Sequence, residues 1–95
     1  MADIYHIYIK APGLASDDPV LDKRLNTALD WIRYGDQCWL VHTTSDAAKW
    51  YQRLAPIVKA RGGNLFIIKL DPTKRQGWMP KSVWKWIKDA RSTQI

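Results

Sequence analysis

Two histidines and one cysteine are the residues of this chain best suited to acid–base or nucleophilic chemistry. His6 and His42 both fall in predicted strands, and an imidazole pair there can transfer a proton or bind a metal ion. No carboxylate is evident on the same predicted face, so the pattern favours two structural histidines. Cys38 lies in the middle of a predicted strand, away from any helix N-terminus that would lower its pKa, and is interpreted as a buried or half-buried thiol.

Three aspartates close together in sequence form the second candidate site. Asp17, Asp18 and Asp22 could supply oxygen ligands to a divalent cation. A helix start explains two of them more simply, with Asp18 as N-cap, Pro19 as the first helical residue and Asp22 in the first turn. We therefore expect no catalytic residue, no bound metal and no cofactor.

Residues 77–88 combine three of the six tryptophans with three lysines. Two interpretations are open: a helix held on the core by its tryptophans, or a surface that stacks bases and neutralises phosphates. The basic loop before this segment extends the second interpretation. The candidate nucleic-acid-binding residues are Lys10, Lys74, Arg75, Trp78, Lys81, Trp84, Lys85 and Lys88.

The composition describes one ordinary globular domain covering residues 1–95, with 46% apolar and 25% charged residues. A net charge of +6 favours a nucleic acid or an acidic protein as partner. No apolar run approaches the roughly 18 residues of a membrane span, and no signal-peptide pattern is present, so we expect no membrane association. A single cysteine is typical of a reducing compartment, and a cytoplasmic location is expected.

Hydrophobic periodicity and turn residues divide the chain into strands and helices. The segment 30–34 fits either the end of the first helix or a short strand. The second helix is expected to begin after Thr44 or Ser45 and to kink or break at Pro56. The expected elements are a strand at 4–10, a helix from residue 19, a strand at 37–43, a helix from about 46, a strand at 65–70 and a C-terminal helix at about 80–91.

This order predicts an α+β fold: a ferredoxin-like split βαβ (βαββαβ) antiparallel sheet with two helices on one face, plus the C-terminal helix. The other sheet face would be too apolar to leave in water. A second subunit, the tryptophan-bearing tail or a ligand could cover it, and dimerisation is favoured. Leu65 is expected on the same face as the predicted dimer interface, which consists of Ile4, His6, Tyr8, Leu40 and Ile67.

The chain also resembles a group of very small proteins. The segments that carry the resemblance are IYIKAPG (7–13), CWLVHTT (38–44), NLFIIKL (64–70), GW (77–78) and WKWI (84–87). It resembles the dimeric subunit of CRISPR adaptation, virulence-associated protein D and the short bacterial or phage open reading frames labelled SinR-like. The resemblance implies a ferredoxin-like homodimer acting in the bacterial cytoplasm.

Some relatives in that group cut RNA or DNA with a metal held by an aspartate at the end of the first strand. Lys10 stands at about that place here, where it would repel a cation and attract a phosphate. We therefore expect a non-catalytic nucleic-acid-binding homodimer. The alternatives are a protein-interaction module (an inhibitor or antitoxin-like adaptor for an acidic protein) and, less favoured, a metal-dependent endonuclease.

Overall fold

The protein forms a four-stranded antiparallel sheet with three helices in a computed structural model that describes residues 2–15, 17–73 and 75–92. The predicted α+β class is confirmed, and residues 30–35 form a strand. None of the helices in these three ranges has the length and apolar character needed to cross a membrane. The elements are β1 (Asp3–Lys10), α1 (Pro19–Leu25), β2 (Asp30–Gly35), β3 (Cys38–Thr43), α2 (Ala47–Lys59), β4 (Asn64–Leu70) and α3 (Lys81–Ser92).

The strands lie in the order β2-β3-β1-β4, and each neighbouring pair is antiparallel. β1 is therefore a central strand, where Ile7 lies opposite Trp39 on one side and Ile67 on the other. β1 and β2 run parallel with β3 between them, and β3 and β4 run parallel with β1 between them. Each helical crossover, through α1 or α2, thus skips one strand.

Helices α1 and α2 cover one face of the sheet. Successive side chains of a strand point to opposite faces, so the sequence predicts Tyr5, Ile7 and Ile9 on one face of β1. Ile7 and Ile9 enter this core, as predicted. Pro19 begins α1, and Asp18 is its N-cap, as predicted: the carboxylate accepts hydrogen bonds from the backbone N–H groups of Val20 (2.9 Å) and Leu21 (3.2 Å).

Helix α2 begins one residue later than expected and does not break. Asp46, rather than Thr44 or Ser45, is the N-cap, and its carboxylate accepts from the backbone N–H of Lys49 at 2.9 Å. The helix continues through Pro56 to its end. The proline lies in the last turns, and the carbonyl that loses its donor belongs to an exposed residue, so water can replace the missing hydrogen bond.

Helix α3 packs on the second face of the sheet. Of the three covers expected for that face, the structure shows the C-terminal segment. Val83 and Ala90 of α3 lie in one buried cluster with Ile4 and Leu40. The helical spacing of Val83, Trp86, Ile87 and Ala90 predicts this inward face, and all four lie in or against the cluster. Ile4 and Leu40, two residues of the predicted dimer interface, are therefore buried within their own chain.

The register of β4 corrects another part of that interface. Ile67 lies opposite Ile7 and packs, with Leu65, on the core under α1 and α2, not on the face of Ile4. Phe66 and Ile68 take the second face instead. The apolar run of β4 has no alternation with polar residues, so the sequence does not indicate which face each residue takes. A shift of one residue in the pairing register would exchange the two faces.

Candidate nucleic-acid interface

The outer side of α3 is a row of three lysines. At about 100° per residue, Lys81, Lys85 and Lys88 share one side of the helix, opposite the buried Val83 and Ala90. All three lysines are exposed. The side of α3 directed away from the sheet therefore carries concentrated positive charge.

Two of these lysines lie where an anion would be favourable. Lys81 is the first residue of α3, whose first turn contains no acidic residue, so its charge is repelled by the positive end of the helix dipole. Lys85 Nζ forms an ion pair with Asp89 Oδ2 at 2.9 Å. Both side chains are largely exposed, and such a pair contributes only about 0.3–0.5 kcal/mol, so a phosphate can replace the carboxylate at little cost.

The loop between β4 and α3 presents an indole to solvent. Trp78 is 98% exposed. Arg75 is held in place, because its Nη1 donates to the carbonyl oxygen of Pro72 at 2.6 Å and its Cζ lies 6.0 Å from the ring centroid of the half-buried Trp84. Trp84 thus supports the loop, while Trp78 projects from it.

One predicted contact residue, Lys10, does not join this group. Lys74 lies outside the described residues. Lys10 is at the opposite end of the sheet: it pairs with Asn64, whereas the loop begins after Leu70, which pairs with Ile4. Six strand residues separate the two ends, about 20 Å at the rise of a β-strand. Among the described cations of the predicted site, Lys10 therefore lies apart from the four at α3 and its preceding loop, which are Arg75, Lys81, Lys85 and Lys88.

His6 forms a partly buried hydrogen bond with a tyrosine. The hydroxyl of Tyr34 and His6 Nε2 are hydrogen-bonded, and the ring centroids are 5.6 Å apart. Burial lowers the pKa of His6 from its ordinary value of 6.5. Burial, followed by the neighbouring Cys38, raises the pKa of Tyr34 to about 12. Both shifts favour the neutral form of each side chain.

This pair makes stability depend on pH. Because the folded-state pKa of His6 is lowered, the unfolded chain binds more protons between that pKa and about 6.5. The stabilisation is fully present above about pH 6.5 and is lost as the pH falls through the folded pKa. In urea unfolding at pH 7.5, 6.5 and 5.5, we expect wild type to lose stability more steeply than His6→Gln, which keeps an acceptor. Equal slopes in the two proteins would contradict this role.

The other residues considered for chemistry have structural surroundings. Asp18 caps α1, Asp17 is exposed and Cys38 is half-buried. Within residues 2–15, 17–73 and 75–92, no group of three or more histidine, cysteine, aspartate or glutamate side chains could hold a metal ion. What the described surface offers is positive charge and aromatic area.

One part of the second sheet face is not covered by α3 and was missed by sequence reasoning. Phe66 is 55% exposed and Ile68 is 45% exposed there, with Tyr8 half-buried beside them. We call this region the open sheet surface, defined by Tyr8, Lys10, Cys38, Asn64, Phe66 and Ile68. The signal that would have found it is the pairing register of β4, which the uniform apolar run does not encode.

The five residues of the predicted dimer interface are thus dispersed. Ile4 and Leu40 lie beneath α3, Ile67 faces the α1–α2 core, His6 bonds to its tyrosine, and Tyr8 alone belongs to the open sheet surface.

Comparisons of the chain with protein-family models, with curated proteins and with solved structures find no match. The resemblance described from the sequence, and the functions that it implies, therefore stay predictions.

Proposed function

We propose that this chain is a small basic protein that binds nucleic acid without cutting it, through the loop and the outer side of α3. The observation that carries the proposal is the exposure of Trp78, 98%, beside the lysine row. An indole in water contributes nothing to a core, but its face is available to a base. Exposed aromatic rings combined with cations along a backbone path are the usual composition of single-strand binding surfaces.

The charge distribution supports the same proposal. The net charge is +6, and Lys81, Lys85 and Lys88 lie on one side of a single helix next to Arg75. Phosphates on this side would relieve the repulsion between Lys81 and the helix dipole. Counterions released from the nucleic acid would add to the binding free energy.

The proposal includes a more specific assignment of the fold. We infer a ferredoxin-like arrangement, which is supported by two crossovers that each skip one strand and by the order β2-β3-β1-β4. Homodimerisation stays a prediction, and with part of the predicted interface buried under α3, it needs another surface. The single half-buried cysteine supports a reducing compartment such as the cytoplasm.

Tryptophan fluorescence during titration tests the binding. We expect short single-stranded RNA or double-stranded DNA to quench the emission saturably, and binding of at least one of them to survive near-physiological salt. Trp78→Leu should reduce the quenching, because Trp78 is 98% exposed, whereas Trp31, Trp84 and Trp86 are half-buried and Trp39 and Trp50 are buried. Circular dichroism spectra of the two proteins should coincide.

Weak binding to both nucleic acids that disappears with salt, or no quenching, would contradict the proposal. The positive charge would then serve steering or solubility. In that case the exposed Trp78 favours the alternative function, in which an indole hot spot and basic surroundings recognise an acidic protein.

A further inference from the structure

The second face of the sheet is divided into a covered half and an open half. α3 packs over the end of the face that contains Ile4, Leu40 and Leu70. The strands continue past the helix, and their remaining outward residues form the open sheet surface. Exposed apolar side chains grouped on a sheet are more informative than single ones, because a fold gains nothing from leaving them in water.

Two aromatic rings occupy the middle of this surface. Tyr8 of β1 and Phe66 of β4 are directly paired across the antiparallel ladder, which places their Cβ atoms about 4.5–5.5 Å apart. Phe66 is 55% exposed. Ile68, 45% exposed, follows Phe66 on the same face. Neighbouring strands therefore present an aromatic pair with an apolar extension, on a rigid element.

Polar groups lie at the outer end of the aromatic pair. Lys10 and Asn64 are paired beyond it, and both are exposed. The Gly63 backbone approaches the Lys10 carbonyl so closely that a Cβ at position 63 would lie only 1.9 Å from its oxygen. None of the six residues of the open sheet surface is acidic. The surface thus combines aromatic area, an exposed cation and an amide, with no carboxylate among its six residues to repel a phosphate.

We propose that the open sheet surface binds single-stranded nucleic acid, with one or two unpaired bases stacked on Tyr8 and Phe66 and a phosphate paired with Lys10. The Asn64 amide can donate to and accept from a base edge. Stacking requires a base face that no neighbouring base covers, so the ligand class is single-stranded rather than duplex. This inference rests on the proposed function and adds a second contact surface, distinct from the outer side of α3.

The composition favours this occupant over a second copy of the chain. A copy that covered the aromatic pair would also have to bury Lys10 and Asn64. Lysine is depleted from the cores of protein interfaces, because burying an ammonium group without a partner is costly. A nucleic acid supplies that partner in each phosphate.

The test uses variants that keep apolar bulk and remove only the aromatic face. Phe66→Leu and Tyr8→Leu are compared with Tyr51→Leu, a matched loss of a ring that is 47% exposed on α2, on the other side of the sheet. The probes are a fluorescein-labelled oligouridylate of about 12 nucleotides and a labelled DNA duplex of similar length, a size that spans a typical single-strand site. Affinity is measured by fluorescence anisotropy, and molar mass by light scattering.

We expect Phe66→Leu and Tyr8→Leu each to weaken oligouridylate binding by about fivefold or more, the lower end of base-stacking contributions. Duplex binding should change less than about twofold, and Tyr51→Leu should match wild type with both probes. Lys10→Gln should weaken oligouridylate binding and lower its salt slope by about 0.7.

Unchanged oligouridylate affinity in Phe66→Leu and Tyr8→Leu would overturn the inference, even if the wild-type protein binds nucleic acid through α3. A halved molar mass in either variant would also overturn it, because a second copy would then occupy the surface. Absence of binding by wild type to both probes would remove this inference and the proposed function together. Retained binding with loss only in α3 variants would remove this inference alone.

Discussion

Replacing Trp50 with alanine is expected to lower the free energy of unfolding by about 3–5 kcal/mol, the usual cost of removing a large buried aromatic side chain. Trp50 is 0% exposed. Its Nε1 donates to Thr43 Oγ1 at 3.2 Å, and the guanidinium of Arg53 lies 4.8 Å from its ring centroid. The change therefore leaves a cavity between α2 and the sheet and removes a buried hydrogen bond.

The matched control for this prediction is Trp78→Ala. The same side chain is removed from a position that is 98% exposed, and stability should change by less than about 0.5 kcal/mol. Urea unfolding followed by circular dichroism compares both variants with wild type. Trp50→Phe keeps most of the volume and gives a measurable midpoint if the alanine variant does not fold. Similar losses from Trp50→Ala and Trp78→Ala would show that burial at Trp50 has been misjudged.

Reversing the three charges on the outer side of α3 should weaken nucleic-acid binding by at least about 100-fold at low salt. The triple variant is Lys81→Glu, Lys85→Glu and Lys88→Glu. Each lysine that neutralises a phosphate contributes about 0.7–0.9 to the slope of log affinity against log salt, so the slope should fall by about 2–3. The fold should survive, because all three side chains are exposed. The Lys85→Glu change places a second carboxylate beside Asp89, and this repulsion should cost only about a few tenths of a kcal/mol.

A control with the same net charge separates this surface from charge in general. Lys23→Glu, Lys49→Glu and Lys59→Glu change exposed lysines on α1 and α2, on the other side of the sheet. Anisotropy titrations over a salt series should show a smaller loss of affinity for the control and nearly the wild-type slope. Equal losses in both triple variants would mean that α3 is not the contact surface.

The sequence predicts most of the elements because local signals determine them. Asp18 and Pro19 mark the start of α1, and the spacing of Val83, Trp86, Ile87 and Ala90 predicts the inner side of α3. Residues 30–34 stayed ambiguous because Trp31 and Ile32 fit either period. Tertiary pairing decides there: Trp31 lies opposite Val41, and Ile32 lies opposite Leu40 in β3.

The candidate sites were harder to predict, because they depend on which residues share a face. Leu65, Phe66, Ile67 and Ile68 are all apolar, so no alternation indicates which of them point outward. The aromatic pair of Tyr8 and Phe66 appears only once β4 is placed beside β1. The same pairing places Lys10 at the far end of the sheet from the lysines of α3, although all of them were predicted to share one site.

The cover of the second face shows a different limit. The apolar residues of this face predict that something covers it. A second subunit, the C-terminal tail and a ligand all fit that prediction. Trp86 connects the tail to the sheet: its Nε1 donates to Asp30 Oδ2 at 2.9 Å, across 56 residues of sequence. No local pattern encodes a contact of that range, so only the folded chain shows which cover was used.

The central position of β1 has a consequence for how the protein is made. β1 is synthesised before both strands that flank it, and its partner closest in sequence is Cys38, opposite Tyr8. On the other side, Asn64, the first residue of β4, must be synthesised before Lys10 can meet its partner there. During translation both edges of an apolar strand therefore stay unpaired, which is the condition under which nascent chains associate wrongly. Contacts this distant in sequence also slow folding, so acquisition of the sheet should be a late event and a step at which chaperones would assist.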